Sequence, residues 1–213
     1  VGLSMLIAAP IGAAASQVGT LIMWATEQAP LVMGILVSVI VGVALTLPIS
    51  SAAICAALGL TGLAGGAAVA GCCAQMVGFA VMSYKENGVG GLVSQGLGTS
   101  MLQMGNIIKN PRIWIAPTLA SAITGPLATC LFHFEMNGAA VSSGMGTCGL
   151  VGQIGVYTGW VSDIAAGTKA AITPMDWAAM VLLCFVLPAV LSVVFCEIER
   201  KLGWIKEGDL KLN

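Results

Sequence analysis

AAICAALGLTGLAGGAAVAGCCAQMVGFAVM, residues 52–82, carries no Asp, Glu, Lys, Arg or His, and none occurs anywhere between Glu27 and Lys85. Crossing a hydrocarbon core of about 30 Å takes roughly 20 apolar residues in a helix. At 1.5 Å per residue, a straight helix over this stretch would reach about 46 Å, longer than one untilted span requires. A break is therefore expected near Gly62, Gly65 and Gly66. This reading decides the fold class: an all-α polytopic membrane protein of about five transmembrane helices, with re-entrant or interfacial broken-helix segments between them.

Working outward, residues 2–24 form a charge-free stretch with a kink expected at Pro10, ending at a polar turn that holds Thr26, Glu27, Gln28 and Pro30. Residues 31–47 are the most aliphatic stretch and stop at Pro48. On the C-terminal side, residues 113–134 and 175–196 are the remaining candidate spans, interrupted by Pro117, by Gly125 with Pro126, and by Pro188. Residues 1–196 thus read as a membrane domain. In residues 197–213, Ile198, Leu202 and Ile205 fall at i, i+4 and i+7, which predicts a charged tail helix at the membrane surface or extending into the cytoplasm.

The composition agrees. Of the 213 residues 58% are hydrophobic and only 8% charged, with a mean hydropathy of +0.98, too little charge to cover a soluble globule of 21.5 kDa. That excludes a soluble enzyme. Disorder needs low hydrophobicity and high net charge, and the net charge of −1 also leaves no basic excess for nucleic acid. Cys55, Cys72, Cys73, Cys130, Cys184 and Cys196 lie in apolar stretches and read as small core residues. Cys148 lies in a Gly-rich segment, and no Cys or His spacing suggests a metal. Val1 begins inside an apolar stretch with no charged leader before it, so the chain reads as part of a longer one.

Lys and Arg collect on the cytoplasmic side of membrane proteins. Arg200, Lys201, Lys206 and Lys211 lie in the tail, and Lys85, Lys109 and Arg112 lie in the loop over residues 85–112. The connection over residues 135–174 holds Lys169 alone. Tail and Lys85 loop are therefore expected inside, the connection outside. Counting back places Glu27 inside and Val1 outside. Trp24, Trp114, Trp160, Trp177 and Trp204 fall at span ends, as an aromatic belt would.

Two segments are neither spans nor ordinary loops. In residues 92–110, Leu97, Met101, Met104 and Ile108 make one apolar stripe, and Thr99, Gln103, Asn106 and Asn110 repeat its spacing two positions on. An uncharged amide and hydroxyl face can line a site for a neutral hydroxylated solute, because Asn and Gln both donate and accept hydrogen bonds. The competing reading is an amphipathic helix at the interface with its polar face in water.

The other segment contains GMGTCGLVGQIG, residues 144–155. Its five glycines make a poor helix, each costing about 1 kcal/mol relative to Ala. Irregular backbone at membrane depth persists only where protein buries it or water reaches it. A re-entrant hairpin offering amides to a solute fits, and an external loop is the alternative. With no Gly-Lys-Ser/Thr ending, it is not a phosphate loop. His133, Glu135 and Asn137 close the span over residues 113–134, and Glu135 could accept a solute hydroxyl's hydrogen bond or carry a proton. Asp163, Lys169 and Asp176 read as solvent-facing.

LTLPISSAAICAALGLTGLAGGAA (residues 45–68), SMLQMGNIIKNP (100–111), RIWIAPTLASAITGP (112–126) and GMGTCGLVGQIG (144–155) are similar, in this order, to the phosphotransferase-system enzyme IIC type 2 family. That family includes perfringolysin O regulator-like membrane proteins. The resemblance implies a multi-pass protein of the bacterial cytoplasmic membrane that carries a solute, a sugar in this class, while cytoplasmic partner subunits handle the phosphoryl group. It also implies a homodimer, and members longer than this chain, of which residues 1–196 would be the C-terminal part of the membrane domain. The positions it marks are Pro48, Ser50, Ser51, Gln103, Asn106, Asn110, Gly144, Gly146, Thr147, Gly149 and Gln153. No catalytic residue, cofactor or metal is expected, since neither His133 nor any cysteine has the loop setting of a phosphoryl acceptor.

Three functions stay open. The first is a translocator binding a neutral hydroxylated solute at Ser50, Ser51, Thr99, Gln103, Asn106, Asn110, Glu135, Asn137, Gly144, Gly146, Thr147, Gly149 and Gln153. The second is a ligand sensor or regulator signalling through its charged tail without transport. The third is a protein that binds a lipid or fatty acid.

Overall fold

The computed structural model describes residues 2–212. The chain runs through α1 (Gly2–Gln28), α2 (Pro30–Thr46), α3 (Ser51–Leu58), α4 (Gly62–Met82), α5 (Tyr84–Val93), α6 (Met104–Lys109), α7 (Ile115–Pro126), α8 (Val151–Ala165), α9 (Pro174–Val181) and α10 (Leu187–Lys201). It is an all-α membrane protein. Among the described residues the only β-type pairing is one antiparallel bridge, Gly62 with Met136.

Helix α4 is the axis, buried along nearly its whole length. Lipid tails are as apolar as Leu, so helices in a membrane gain by close packing, which small side chains permit. In α4 these are the Ala and Gly residues from Gly62 to Ala74. At Gly71 a Cβ would collide with the carbonyl of Ser38 on α2, so this crossing needs glycine. The hydroxyls of Ser38 and Ser121 donate across the same contact, to the carbonyls of Ser121 (2.8 Å) and Gly71 (3.2 Å).

The expected break in residues 52–82 is present. Helix α3 ends at Gly59, in the left-handed conformation at φ 64, and α4 begins three residues later. Because α3 is a short return, α2 and α4 run in the same direction: Ser38 meets Gly71, and Thr46 meets Gln75. Helix α7 runs opposite to both, with Gly125 beside Gly34 and Pro117 beside Gly78. The Gln28 to Pro30 turn therefore lies at the Gly62 end of α4, where Thr129 donates to the Pro30 carbonyl at 2.7 Å. This corrects the side expected for Glu27, which lies opposite the Lys85 loop. The error came from counting residues 31–47 and 52–82 as full antiparallel crossings. Val1 is outside the described residues.

Pro111–Leu131 and Pro174–Lys201 are continuous apolar helices long enough to cross a membrane, as is Gly62–Met82. Each of the first two contains a widened turn beside a proline: Leu127–Leu131 follows Pro126, and Leu182–Val186 precedes Pro188. Proline lacks the N–H that would complete the ladder there.

Helix α10 stops at Lys201, and residues 202–212 fold as turns, not as the expected tail helix. Gly203 and Gly208 sit at φ 72 and 95, where a helix cannot continue. Residues 137–150 descend beside α4 as the expected re-entrant hairpin, and α8 returns. From the other end, α5 bends at Gly88 (φ 59) and leads the Ser94–Gly98 turn back into the protein.

Candidate functional site

The hairpin tip, the α2–α3 break and the Ser94–Gly98 turn converge beside α4 between Cys72 and Met76. Gln75 is the centre of this junction, and the sequence reading missed it. Its Oε1 accepts from Trp114 Nε1 (2.9 Å) and Thr46 Oγ1 (3.2 Å), and its Nε2 donates to Thr118 Oγ1 (3.3 Å) and Ser121 Oγ (3.5 Å). Thr46 also shares a 2.9 Å hydrogen bond with Ser100. A glutamine has two donors and two acceptor lone pairs, and all four are used. The signal was available: Gln75 is the one strongly polar side chain in residues 52–82.

Several predicted positions meet here. Ser51 Oγ donates to the Gly144 carbonyl at 2.7 Å, and Gly146 presses on Cys72 where a Cβ has no room. Thr147 Oγ1 donates to the Gly96 carbonyl at 2.5 Å. Gln153 Nε2 donates to Cys73 Sγ at 3.2 Å, while its Oε1 is buried without a partner. Ser50 is the N-cap of α3, accepting from Ala53 N, and Gly149 is exposed at the tip.

Thr99, Gln103, Asn106 and Asn110 lie elsewhere. Thr99 caps a turn through Met101 N. The three amides grip the chain's own tail. Gln103 Nε2 donates to the Leu210 carbonyl (3.0 Å), Asn106 Nδ2 to the Lys211 carbonyl (3.0 Å), and Asn110 Nδ2 to the Trp204 carbonyl (2.9 Å) and Asp209 Oδ2 (2.8 Å). Behind them an amide relay runs from Asn106 to Gln103 to Gln95 to Ser83. Glu86 and Asn87 complete the groove by accepting from Leu210 N and Leu212 N.

Glu135 and Asn137 stand at the opposite end of α4, in a cavity of about 510 Å³. His133, a non-glycine residue at φ 43, turns the chain out of its helix, and the Gly62–Met136 bridge fixes the strand-like stretch that follows. Asn137 Nδ2 then bridges two carboxylates, Glu135 Oε2 at 3.0 Å and Asp163 Oδ2 at 2.9 Å. On the far wall, Lys169 Nζ bonds Asp176 Oδ1 (2.7 Å) and lies 5.4 Å from the centre of the Trp160 ring. Asp176 is held by a capping box with Thr173 at the start of α9.

Asp163, Lys169 and Asp176, read from sequence as solvent-facing, thus line the cavity. Trp160 is 5% exposed inside it and Trp114 is tied to Gln75, so neither belongs to a surface belt. Among the described residues, Glu135 and Asp163 have no cationic partner. With three carboxylates against one ammonium, the cavity favours hydrogen-bond donors and disfavours anions.

Residues 1–212 match the family model described as "Phosphotransferase system, EIIC". No curated protein and no solved structure matches the chain.

Proposed function

The chain belongs to the phosphotransferase system EIIC family, and on that premise we propose that it carries a neutral hydroxylated solute, a sugar by family, admitted through the Glu135–Asn137–Asp163 cavity. The observation that carries this reading is a cavity in which Asn137 bridges two carboxylates that have no cationic partner among the described residues. Carboxylates accept hydrogen bonds from solute hydroxyls, and the Asn137 carbonyl oxygen adds an uncharged acceptor. The excess negative charge turns away a phosphorylated sugar, so the solute enters unmodified. Any phosphoryl transfer belongs to partner subunits on the other side.

In this reading the tail end is cytoplasmic in a bacterial inner membrane. Seven of the eight Lys and Arg residues, all but Lys169, lie in residues 85–112 and the tail. Between the two ends, Ser51, Gly144, Gly146, Thr147 and Gln153 form the barrier at the junction, and the unpartnered Gln153 Oε1 is a spare acceptor for a passing hydroxyl. Thr99, Gln103, Asn106 and Asn110 meet the solute only after the tail lifts. We also propose a homodimer, which the family resemblance supports.

Binding of a panel of free sugars to the purified protein tests this. Loss of affinity in Glu135→Gln with Asp163→Asn supports the cavity; unchanged affinity removes it, and no binding across the panel removes the sugar. The tail lodged on its amides favours a second reading, a sensor that releases its tail on binding. Solute flux in proteoliposomes separates the two, since a sensor binds without flux.

A further inference from the structure

At the tail end, α10 continues past its apolar part. Residues 175–196 measure about 33 Å as a helix, enough to cross the hydrocarbon, and Glu197 to Lys201 extend beyond it. There Lys85 pairs with Glu197 (2.9 Å) and Arg200 with Glu86 (3.1 Å). Glu199 stands between these pairs and shares neither. It is 4% exposed, and neither carboxyl oxygen has a hydrogen-bond partner among the described residues. Three residues after Cys196, it projects onto the same helix face, towards the cluster of Phe79, Ile107, Ile113, Ile205 and Leu210. Two members of that cluster, Ile205 and Leu210, belong to the tail, and Trp204 N bonds the Glu199 carbonyl at 2.9 Å.

We propose that Glu199 is a proton-binding site, and that the tail stays docked on Glu86, Asn87, Gln103 and Asn106 only while Glu199 holds its proton. An ionised carboxylate without a partner is not tolerated in an apolar enclosure, and the enclosure here is partly the tail itself. Ionisation is relieved by lifting the tail and admitting water. The other titratable and charged groups of this region are either engaged or, like Glu207, exposed. Arg112 lies over the Trp204 ring, Asp209 accepts from Asn110 and Lys206 N, and Lys85, Glu86, Glu197 and Arg200 are paired. Lys109, Lys201, Lys206 and Lys211 are exposed, and the Cys196 thiol is the titratable neighbour one turn back. Burial alone pushes the Glu199 carboxyl up to about 7. The docked tail therefore holds more protons than the lifted one, so docking weakens as pH rises from the ordinary carboxylate range to about 7 and is level above it.

Hydrogen exchange of the full chain in detergent, followed by mass spectrometry and corrected for the intrinsic pH dependence of exchange, reads this directly. Protection of residues 204–212 should fall at least tenfold between pH 4.5 and 8.5 while protection of α4 holds. In Glu199→Gln it should stay high throughout, and Glu199→Met supplies a second uncharged variant should Glu199→Gln fold poorly. Equal protection of the native tail at both pH values overturns the proposal, as does the same fall in both uncharged variants. Recovery of protection at pH 8.5 on adding sodium or potassium overturns the proton as the ligand in favour of a cation.

Discussion

The two ends of α4 use nearly the same parts. At the cavity end an asparagine amide bonds carboxylates, Asn137 to Glu135 and Asp163, and a lysine lies 5.4 Å from the Trp160 ring centre. At the tail end Asn110 bonds Asp209, and Arg112 lies 5.5 Å from the Trp204 ring centre. What differs is the occupant. The tail supplies backbone carbonyls to the amides and Ile205 and Leu210 to the apolar floor, leaving only smaller clefts of about 290 and 150 Å³ beside Asn106. The cavity end keeps about 510 Å³ and two carboxylates without a cation. Residue type alone does not separate a structural clasp from a binding site; the separation lies in whether the chain completes its own hydrogen bonds.

Leu210→Asp should break the comparison most sharply. It puts a charge at a position with 0% exposure and should cost ~3–5 kcal/mol of tail docking, seen as early proteolysis of the tail and a lower Tm. Gln75→Leu, at the junction between the ends, leaves Trp114 Nε1 and Thr118 Oγ1 to find other partners and should lower unfolding stability by ~1–3 kcal/mol. Asn106→Ala loses one tail hydrogen bond and one relay bond, about 1 kcal/mol in the same measurement. Glu135→Gln with Asp163→Asn should move stability by less than about 0.5 kcal/mol while weakening sugar binding at least tenfold by titration calorimetry. A large stability loss there would make the cavity end another clasp and erase the contrast. Lys169→Met should cost about 0.5–1 kcal/mol, from a half-buried ion pair and its ring contact, and has the smallest expected effect on binding of a neutral sugar. By deepening the negative charge, it should tighten binding of a cationic probe sugar relative to a neutral one.

Much of the architecture was legible because membranes make strict demands. The length of residues 52–82 required a break, and Gly59 to Gly62 provides one. The glycines of residues 144–155 oppose a helix and the hairpin follows as far as Leu150, but α8 begins at Val151 and takes in Gly152 and Gly155, whose missing Cβ atoms let Gly146 and Ser142 pack close. Direction was harder. Nothing in the composition of residues 51–58 distinguishes a short return from the start of a span, so α2 was given the wrong sense. Ile198, Leu202 and Ile205 keep helical spacing, but Gly203 breaks the helix and Ile205 reaches the core through a turn. At the site, Gln103, Asn106 and Asn110 were recognised as a hydrogen-bonding face, yet an amide that suits a solute hydroxyl suits a tail carbonyl equally well. Asp163, Lys169 and Asp176 sit on different elements, and only the fold brings them to one cavity.

The Gly62–Met136 bridge bears on how the protein is made. The N–H of Gly62, which as the first residue of α4 has no partner within the helix, depends on a residue that the ribosome reaches long after α4 has been synthesised: Gly62 N donates to the Met136 carbonyl at 3.0 Å, and Met136 N donates back at 3.0 Å. A peptide group left unpaired in hydrocarbon costs several kcal/mol. At the cavity end of α4, the Gly62 N–H of the nascent break therefore has only water as a partner until residue 136 arrives. Until then it must stay in contact with water or with the insertion machinery, and stalling translation before Met136 should trap it there.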